Sequence, residues 1–286
     1  MAAPAPARAP APAPGFEPLP QASTPPQGRL VFITGASSGI GQALAARYAR
    51  AGWRLALVAR RTDALRAWID AQGLADAAAA GRVTVHGADV SVPDSIVAAA
   101  QACMDQQGLP DVVIANAGIS IGMDSAVRAD LAVMQDTFAT NNVGLAATFH
   151  PFIEPMRARR SGTLVGIASV AAIRGLPGHG AYCASKAAVV AYCESLRGEC
   201  RGQGVKVVTL LPGYIATPLT AKNRYPMPFL MPAGDFADRA FDAIERGSSW
   251  RVIPWQMAVV VKLLRVLPNA VFDRLLKGRS RKARRE

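Results

Sequence analysis

Six short runs of β-branched and aliphatic residues recur along this chain, separated by longer stretches with helical spacing. The runs are Val31-Phe32-Ile33, Arg54-Leu55-Ala56-Leu57-Val58-Ala59, Val83-Thr84-Val85, Val112-Val113-Ile114, Leu164-Val165-Gly166-Ile167 and Val205-Lys206-Val207-Val208. Several are apolar at nearly every position rather than at alternate ones, the pattern of a strand covered on both faces. Between them, apolar residues fall a helical turn apart, as with Leu44, Tyr48 and Ala49 after the first run. Strand and helix in regular alternation predict an α/β fold, a doubly wound parallel sheet with helices on both faces. At 286 residues the chain suits one large domain with an ample core, and no repeat of solenoid period is visible.

Both ends depart from this pattern. Residues 1–28 hold nine prolines and many alanines with hardly any bulky side chains. Such a segment cannot bury enough surface to offset its ordering entropy, which predicts a disordered tail. It lacks a charged start followed by an apolar core, so a secretory signal is not expected. Residues 29–253 form the expected folded domain. Residues 254–286 read as a basic amphipathic segment, because residues 251–286 carry ten Lys/Arg against two Asp/Glu, most of the net +12. The apolar stretch from Trp255 to Leu267 is interrupted by Lys262 and Arg265 and falls short of the roughly 20 residues that span a bilayer. Trp, Leu and flanking cations suit an anionic membrane surface. The same helix would equally pack on the protein or a neighbouring subunit, leaving Arg279–Arg285 solvated. Aromatics are not interleaved with the basic tail beyond Phe272, which argues against nucleic acid. Cys103, Cys183, Cys193 and Cys200 have no metal-ligand spacing and fit reduced thiols in a cytosol, so no metal is expected. The predicted location is cytoplasmic, with the C-terminal segment poised for the inner face of a membrane.

Candidate chemistry lies in two places. The first strand feeds Thr34-Gly35-Ala36-Ser37-Ser38-Gly39-Ile40-Gly41 and then a helix. Glycines let the backbone turn tightly and approach a pyrophosphate, which rests on the positive end of the following helix. The spacing is Gly-x-x-x-Gly-x-Gly rather than Gly-x-Gly-x-x-Gly, but both flanks fit a nucleotide site. The second place is Tyr182-Cys183-Ala184-Ser185-Lys186, where phenol and ammonium stand one turn apart on a helix face. A cation so placed favours phenolate and is expected to pull the Tyr182 pKa below its usual value of about 10, towards the range useful for general acid–base work.

With both motifs in hand, the chain resembles the single-domain short-chain dehydrogenase/reductase family from Gly28 to Ile253. Thr34–Gly41 looks like the family's cofactor turn, with Gly35, Ser37, Ser38, Gly39, Ile40 and Gly41 as its contacts. Asp89-Val90 is similar to the adenine-contacting pair, and Asn116-Ala117-Gly118 to the motif ending the fourth strand. Asn141-Asn142-Val143-Gly144 resembles the Asn-x-x-Gly helix motif. Ser169 stands thirteen residues before Tyr182, the family's usual interval. Pro212-Gly213 with Thr217 resembles the turn that contacts nicotinamide and pyrophosphate. The resemblance implies a Rossmann-type NAD(P)-binding catalytic domain and a role for each residue. Tyr182 would exchange a proton with the substrate oxygen and Ser169 would orient it. Lys186 would hold the nicotinamide ribose and tune Tyr182, and Asn141 would anchor a water beside Lys186. It also implies a homodimer or homotetramer built on helices around Met134–Met156 and Ala184–Cys200, although Met134, Phe138, Leu145 and Phe149 serve equally as interior packing. A nucleotide sensor or a membrane scaffold could use the same fold without turnover, but neither has need of the full Asn141, Ser169, Tyr182 and Lys186 set.

The second run ends at Arg60-Arg61, where an NAD enzyme usually places a carboxylate for the ribose 2′-hydroxyl. Two guanidiniums suit the 2′-phosphate of NADP instead, with Arg60 the primary contact and an NAD-preferring alcohol dehydrogenase the alternative. After the last run, Tyr214–Met231 is rich in Pro and Met and includes Phe229, which suggests an apolar lid. Leu176, Pro177 and His179 would line the opposite wall. The expected reaction interconverts a hydrophobic ketone or aldehyde with its alcohol.

Overall fold

The computed structural model describes residues 28–221, 223, 225–278 and 281–284. The tail expected over 1–28 therefore lies outside the described residues, except for Gly28. The six apolar runs form strands β1 (Leu30–Thr34), β2 (Arg54–Ala59), β3 (Val83–Gly87), β4 (Val112–Ala115), β5 (Gly162–Ile167) and β6 (Val205–Pro212). A short parallel pair follows, β7 (Ile215–Ala216) with β8 (Met231–Pro232), and then β9 (Trp250–Ile253). The seven-stranded sheet is wholly parallel in the order β3-β2-β1-β4-β5-β6-β9. It is a Rossmann-type α/β fold.

Strand alternation sorts the core into two layers. In β1, Leu30 and Phe32 point to one layer and Val31 and Ile33 to the other, and all four are fully buried. Helices α1 (Gly39–Arg50), α2 (Thr62–Ala71) and α8 (Ala233–Glu245) cover the second layer, where Tyr48 meets Trp53 and Phe241 edge-on. Helices α4 (Pro93–Gln107), α6 (Gly144–Arg159) and α7 (Gly180–Glu199) cover the first, where Phe32 meets Phe152 edge-on at 5.0 Å. The short α3 (Ala75–Ala79) precedes β3. Leu145 and Phe149 are thus interior packing, whereas Met134 and Phe138 on α5 (Leu131–Phe138) stay partly exposed. Arg54 is charged within a buried strand because its guanidinium donates to the Gly28 and Gln107 carbonyls.

The C-terminal segment is helical, as α9 (Trp255–Val266) and α10 (Asn269–Leu276). Met257 and Val261 of α9 enter the first core layer, and Phe272 of α10 lies under Arg174. Trp255, Val259, Leu263 and Val266 face outwards. None of the described helices is long and apolar enough to cross a membrane.

From β1 the chain winds towards β3 on one side and, through β4, towards β9 on the other. Ligands of such sheets sit in the crevice at the carboxyl ends of the strands where the winding reverses, here between β1 and β4.

Candidate active site

A cavity of about 830 Å³ opens at that crevice. Gly35, Ser37, Ser38, Gly39 and Ile40 line it from the turn after β1, Arg60 and Arg61 from β2, and Asp89 and Val90 from β3. Asn116, Ala117 and Gly118 come from β4, Ser169 from β5, Tyr182 and Lys186 from α7, and Pro212, Gly213 and Thr217 from β6. Of the residues singled out for cofactor and catalysis, Gly41 and Asn141 do not line it, nor do Leu176, Pro177 and His179 of the expected opposite wall.

The turn is shaped by its contacts. Gly35 has φ +66°, and a Cβ there would stand 2.9 Å from Ala117 Cα. At Gly41 a Cβ would stand 2.3 Å from the Gly35 carbonyl oxygen and 2.6 Å from Asn116 Nδ2. Gly41 thus lets α1 close onto its own turn and does not touch the cavity. Asn116 ties turn to strand, its amide donating to Thr34 O at 2.9 Å, while Thr34 Oγ1 accepts from the backbone N–H of Asn116 and Ala117. The first turn of α1 leaves N–H groups without intrahelical acceptors. Ser38 makes no side-chain cap there and no acidic residue lies in that turn, so the helix end offers its positive potential to the cavity. These features fit a dinucleotide pyrophosphate.

At the end of the cavity formed after β2 and β3, Arg60 is largely exposed and pairs with Asp89 at 3.5 Å. Burial raises the Asp89 pKa, but hydrogen bonds from the Ser91 hydroxyl and N–H, with Arg60, more than reverse this and hold it below the usual carboxylate range.

The catalytic candidates sit at the other end. Ser169 stands just beyond β5 and caps the turn Val170–Ala172, its Oγ accepting from Ala171 N–H at 3.1 Å. Tyr182 lines the same cavity from α7. Lys186, one turn along, is 5% exposed; its Nζ donates to Ile167 O at 2.8 Å and lies 5.9 Å from the Tyr182 ring centre. The expected pull of Lys186 on Tyr182 is not the leading effect here. Burial raises the Tyr182 pKa, the Ser169 hydroxyl draws it partly back, and burial brings Lys186 down to about 8. At the Lys186 distance, and with Lys186 itself desolvated, burial outweighs the cation.

Asn141 lies behind this set. It occupies a π-helical turn, Ala139–Val143, between α5 and α6, within the helical region expected around Met134–Met156. Its amide accepts from Ile119 N–H at 2.8 Å and donates to Ile119 O and to Ser185 Oγ. A Cβ on Gly118 would touch Asn141 Oδ1 at 3.1 Å and Lys186 Nζ at 3.4 Å, so backbone, amide and ammonium meet at one point. Ser185 and Thr34 are partners that no spacing rule points to; their signal is only their position inside the two motifs. On the substrate side, His179 Nε2 faces the Tyr225 hydroxyl at 3.3 Å, and Tyr225 also meets Tyr214. Leu219, Phe229 and Leu230 of the expected lid are about half exposed.

Comparison with known proteins agrees with this geometry. The profile of a family described as short chain dehydrogenase matches residues 29–227. An uncharacterized oxidoreductase of Myxococcus xanthus is 40% identical over 247 residues, covering 86% of this chain and 95% of that protein. A sulfoacetaldehyde reductase of Chromohalobacter salexigens is 35% identical over 222 residues, covering 77% of this chain and 81% of that protein. Among solved structures, a short chain dehydrogenase/reductase from Burkholderia phymatum in complex with NAD superposes with a TM-score of 0.73 at 26% identity, over 82% of this chain and 92% of that one.

Proposed function

The chain belongs to the short-chain dehydrogenase/reductase family of oxidoreductases, and from that premise we propose that it is an NADP(H)-dependent enzyme interconverting a hydrophobic ketone or aldehyde with its alcohol. The observation that carries this reading is the Ser169–Tyr182 hydroxyl pair on the cavity wall, with Lys186 buried one turn behind it. A relative named as a sulfoacetaldehyde reductase supports the carbonyl direction.

A nicotinamide nucleotide, when bound, supplies the hydride to the carbonyl carbon or accepts it from the carbinol. The α1 turn would hold its pyrophosphate, Arg60 with Arg61 its 2′-phosphate, and Asp89-Val90 its adenine. Asn116-Ala117-Gly118, Pro212, Gly213 and Thr217 would hold the remainder. Negative charge gathers on the substrate oxygen as the carbon is reduced. Ser169 donates to that oxygen and fixes its position, and the Tyr182 phenol delivers the proton, two preorganised donors in a water-poor pocket. Lys186 would bind the ribose hydroxyls and steady the phenolate left behind. Asn141 holds the backbone around Ile119 and Ser185 on which this set stands.

Nucleotide choice is tested by fluorescence titration with NADPH and NADH, with Arg60→Ala in parallel. Loss of charge-assisted hydrogen bonds to a phosphate weakens NADPH by roughly 10- to 100-fold and leaves NADH unchanged. A preference for NADH in the parent protein would overturn the NADP assignment. Tyr182→Phe is expected to abolish turnover while keeping nucleotide affinity; turnover within tenfold of the parent would remove Tyr182 from the proton path.

We also propose that the outward face of α9 and α10 meets an anionic membrane surface and that the protein is a homo-oligomer. The lipid reading is supported by exposed Trp255, Val259, Leu263 and Val266 beside exposed Lys262, Arg274 and Lys277.

A further inference from the structure

Beyond α10 the chain turns back across the molecule. Arg284 donates to both oxygens of Asp130, from Nε at 2.7 Å and from Nη2 at 3.0 Å, and Asp130 is 4% exposed. The Ala283 carbonyl accepts from Gly122 N–H at 3.0 Å. Arg281 pairs with Asp124 at 3.8 Å and lays its stem on Gly178. Neither glycine has room for a side chain. A Cβ on Gly122 would stand 2.3 Å from the Lys282 carbonyl oxygen, and one on Gly178 2.9 Å from Arg281 Cβ. The covered loop is a wall of the cavity, since Ile119 and Ile121 line it.

Between the two paired arginines stands Lys282. Its side chain is half-buried and Nζ donates to Ser120 Oγ at 3.0 Å. Asp124 and Asp130 are taken by Arg281 and Arg284, and among the described residues Lys282 makes no ion pair. Burial lowers its pKa. Its partner Ser120 stands between the cavity-lining Ile119 and Ile121, and Arg281 beside it packs on Gly178, next to the His179 that faces Tyr225 at 3.3 Å. The ammonium therefore stands beside the substrate end of the cleft, behind the wall that Ile119 and Ile121 form. A cation drawn out of water and bonded to one neutral hydroxyl is costly until an anion meets it.

We infer that residues 281–284 form the outer wall of the substrate site and that Lys282 Nζ binds a carboxylate carried by the substrate, remote from its reacting carbon. The inference rests on the oxidoreductase reading above and narrows it to an oxo acid or hydroxy acid with an apolar body lying under the lid.

The test compares ω-oxo carboxylic acids of increasing length with their methyl esters, in the parent protein, Lys282→Ala and Lys282→Arg. Thermal shift of the NADPH-loaded protein is read beside turnover, and NADPH affinity serves as the control for folding. Acids are expected to exceed esters, and Lys282→Ala to lose roughly 10- to 100-fold in kcat/KM on acids, mostly through KM. Esters and NADPH affinity should stay unchanged, and Lys282→Arg should restore most of the loss. Equal treatment of acids and esters in both assays overturns the lysine assignment while leaving the oxidoreductase reading intact. No turnover of any carbonyl, with thermal stabilisation by acids alone that Lys282→Ala removes, supports the lysine and sinks the oxidoreductase reading.

Discussion

The hydroxyl–ammonium pair shows what a sequence motif conveys and what it leaves out. Four-residue spacing on a helix places Tyr182 and Lys186 on one face, and the structure agrees. Their charge states depend on burial, which spacing does not encode. Lys186 is buried with its ammonium on the Ile167 carbonyl, and desolvation brings it down to about 8. Tyr182 is pushed up, so in the nucleotide-free protein the phenol holds its proton beyond the point at which the lysine has lost its own. The sign follows directly. Below about pH 8 Lys186 is cationic and available to an anionic nucleotide; above it that charge is lost. NADPH affinity is therefore expected to fall as pH rises through about 8, with proton uptake on binding above that value. Fluorescence titration across this range checks it. A flat profile in the parent protein, or the same fall in Lys186→Met, would place the titration elsewhere.

At the scale of elements, β1, β2 and β4 were legible because each is buried on both faces and so is apolar at nearly every position, whereas β3, at the sheet edge and only partly buried, was legible by its β-branched Val-Thr-Val. β9 escapes that reading: Trp-Arg-Val-Ile is short, and its Arg251 faces solvent at the sheet edge. The π-helical turn at Ala139–Val143 also escapes it, since nothing in the spacing of Met134, Phe138, Leu145 and Phe149 announces an extra residue in the ladder. π-turns often mark functional sites, and this one turns Asn141 inwards to Ile119 and Ser185. Asn141→Ala would strand the Ile119 N–H and C=O beside a site 1% exposed, while the Ser185 hydroxyl keeps its bond to the Tyr182 carbonyl. Leaving a buried group unsatisfied costs about 1–3 kcal/mol, and in a domain of this size each kcal/mol moves Tm by roughly 2–4 °C. The expected outcome is a Tm lowered by several degrees together with a drop in kcat. An unchanged Tm would show that the turn holds its shape without the amide.

On the scale of the whole molecule, the basic excess of the C-terminal segment divides into two uses that composition cannot separate. Arg281, Lys282 and Arg284 turn onto the catalytic domain, so this part of the tail is neither simply solvated nor free for lipid. Lys262, Arg274 and Lys277 remain outside. They flank an apolar face, because Trp255, Val259, Leu263 and Val266 recur at helical spacing opposite Met257 and Val261, which enter the core. Val271 and Leu275 on α10 are exposed as well. Wetted aromatic and aliphatic side chains ringed by cations suit the headgroup region of an anionic bilayer, where each basic residue contributes about 1 kcal/mol. The intact protein is expected to co-sediment with vesicles containing phosphatidylserine and not with phosphatidylcholine alone, and to dissociate as salt rises. Leu263→Glu should lose vesicle binding while keeping NADPH affinity and turnover, because its side chain points away from the cavity-bearing core. Absence of sedimentation, joined to a self-association that Leu263→Glu breaks in light scattering, would instead mean that a second copy of this chain covers the face.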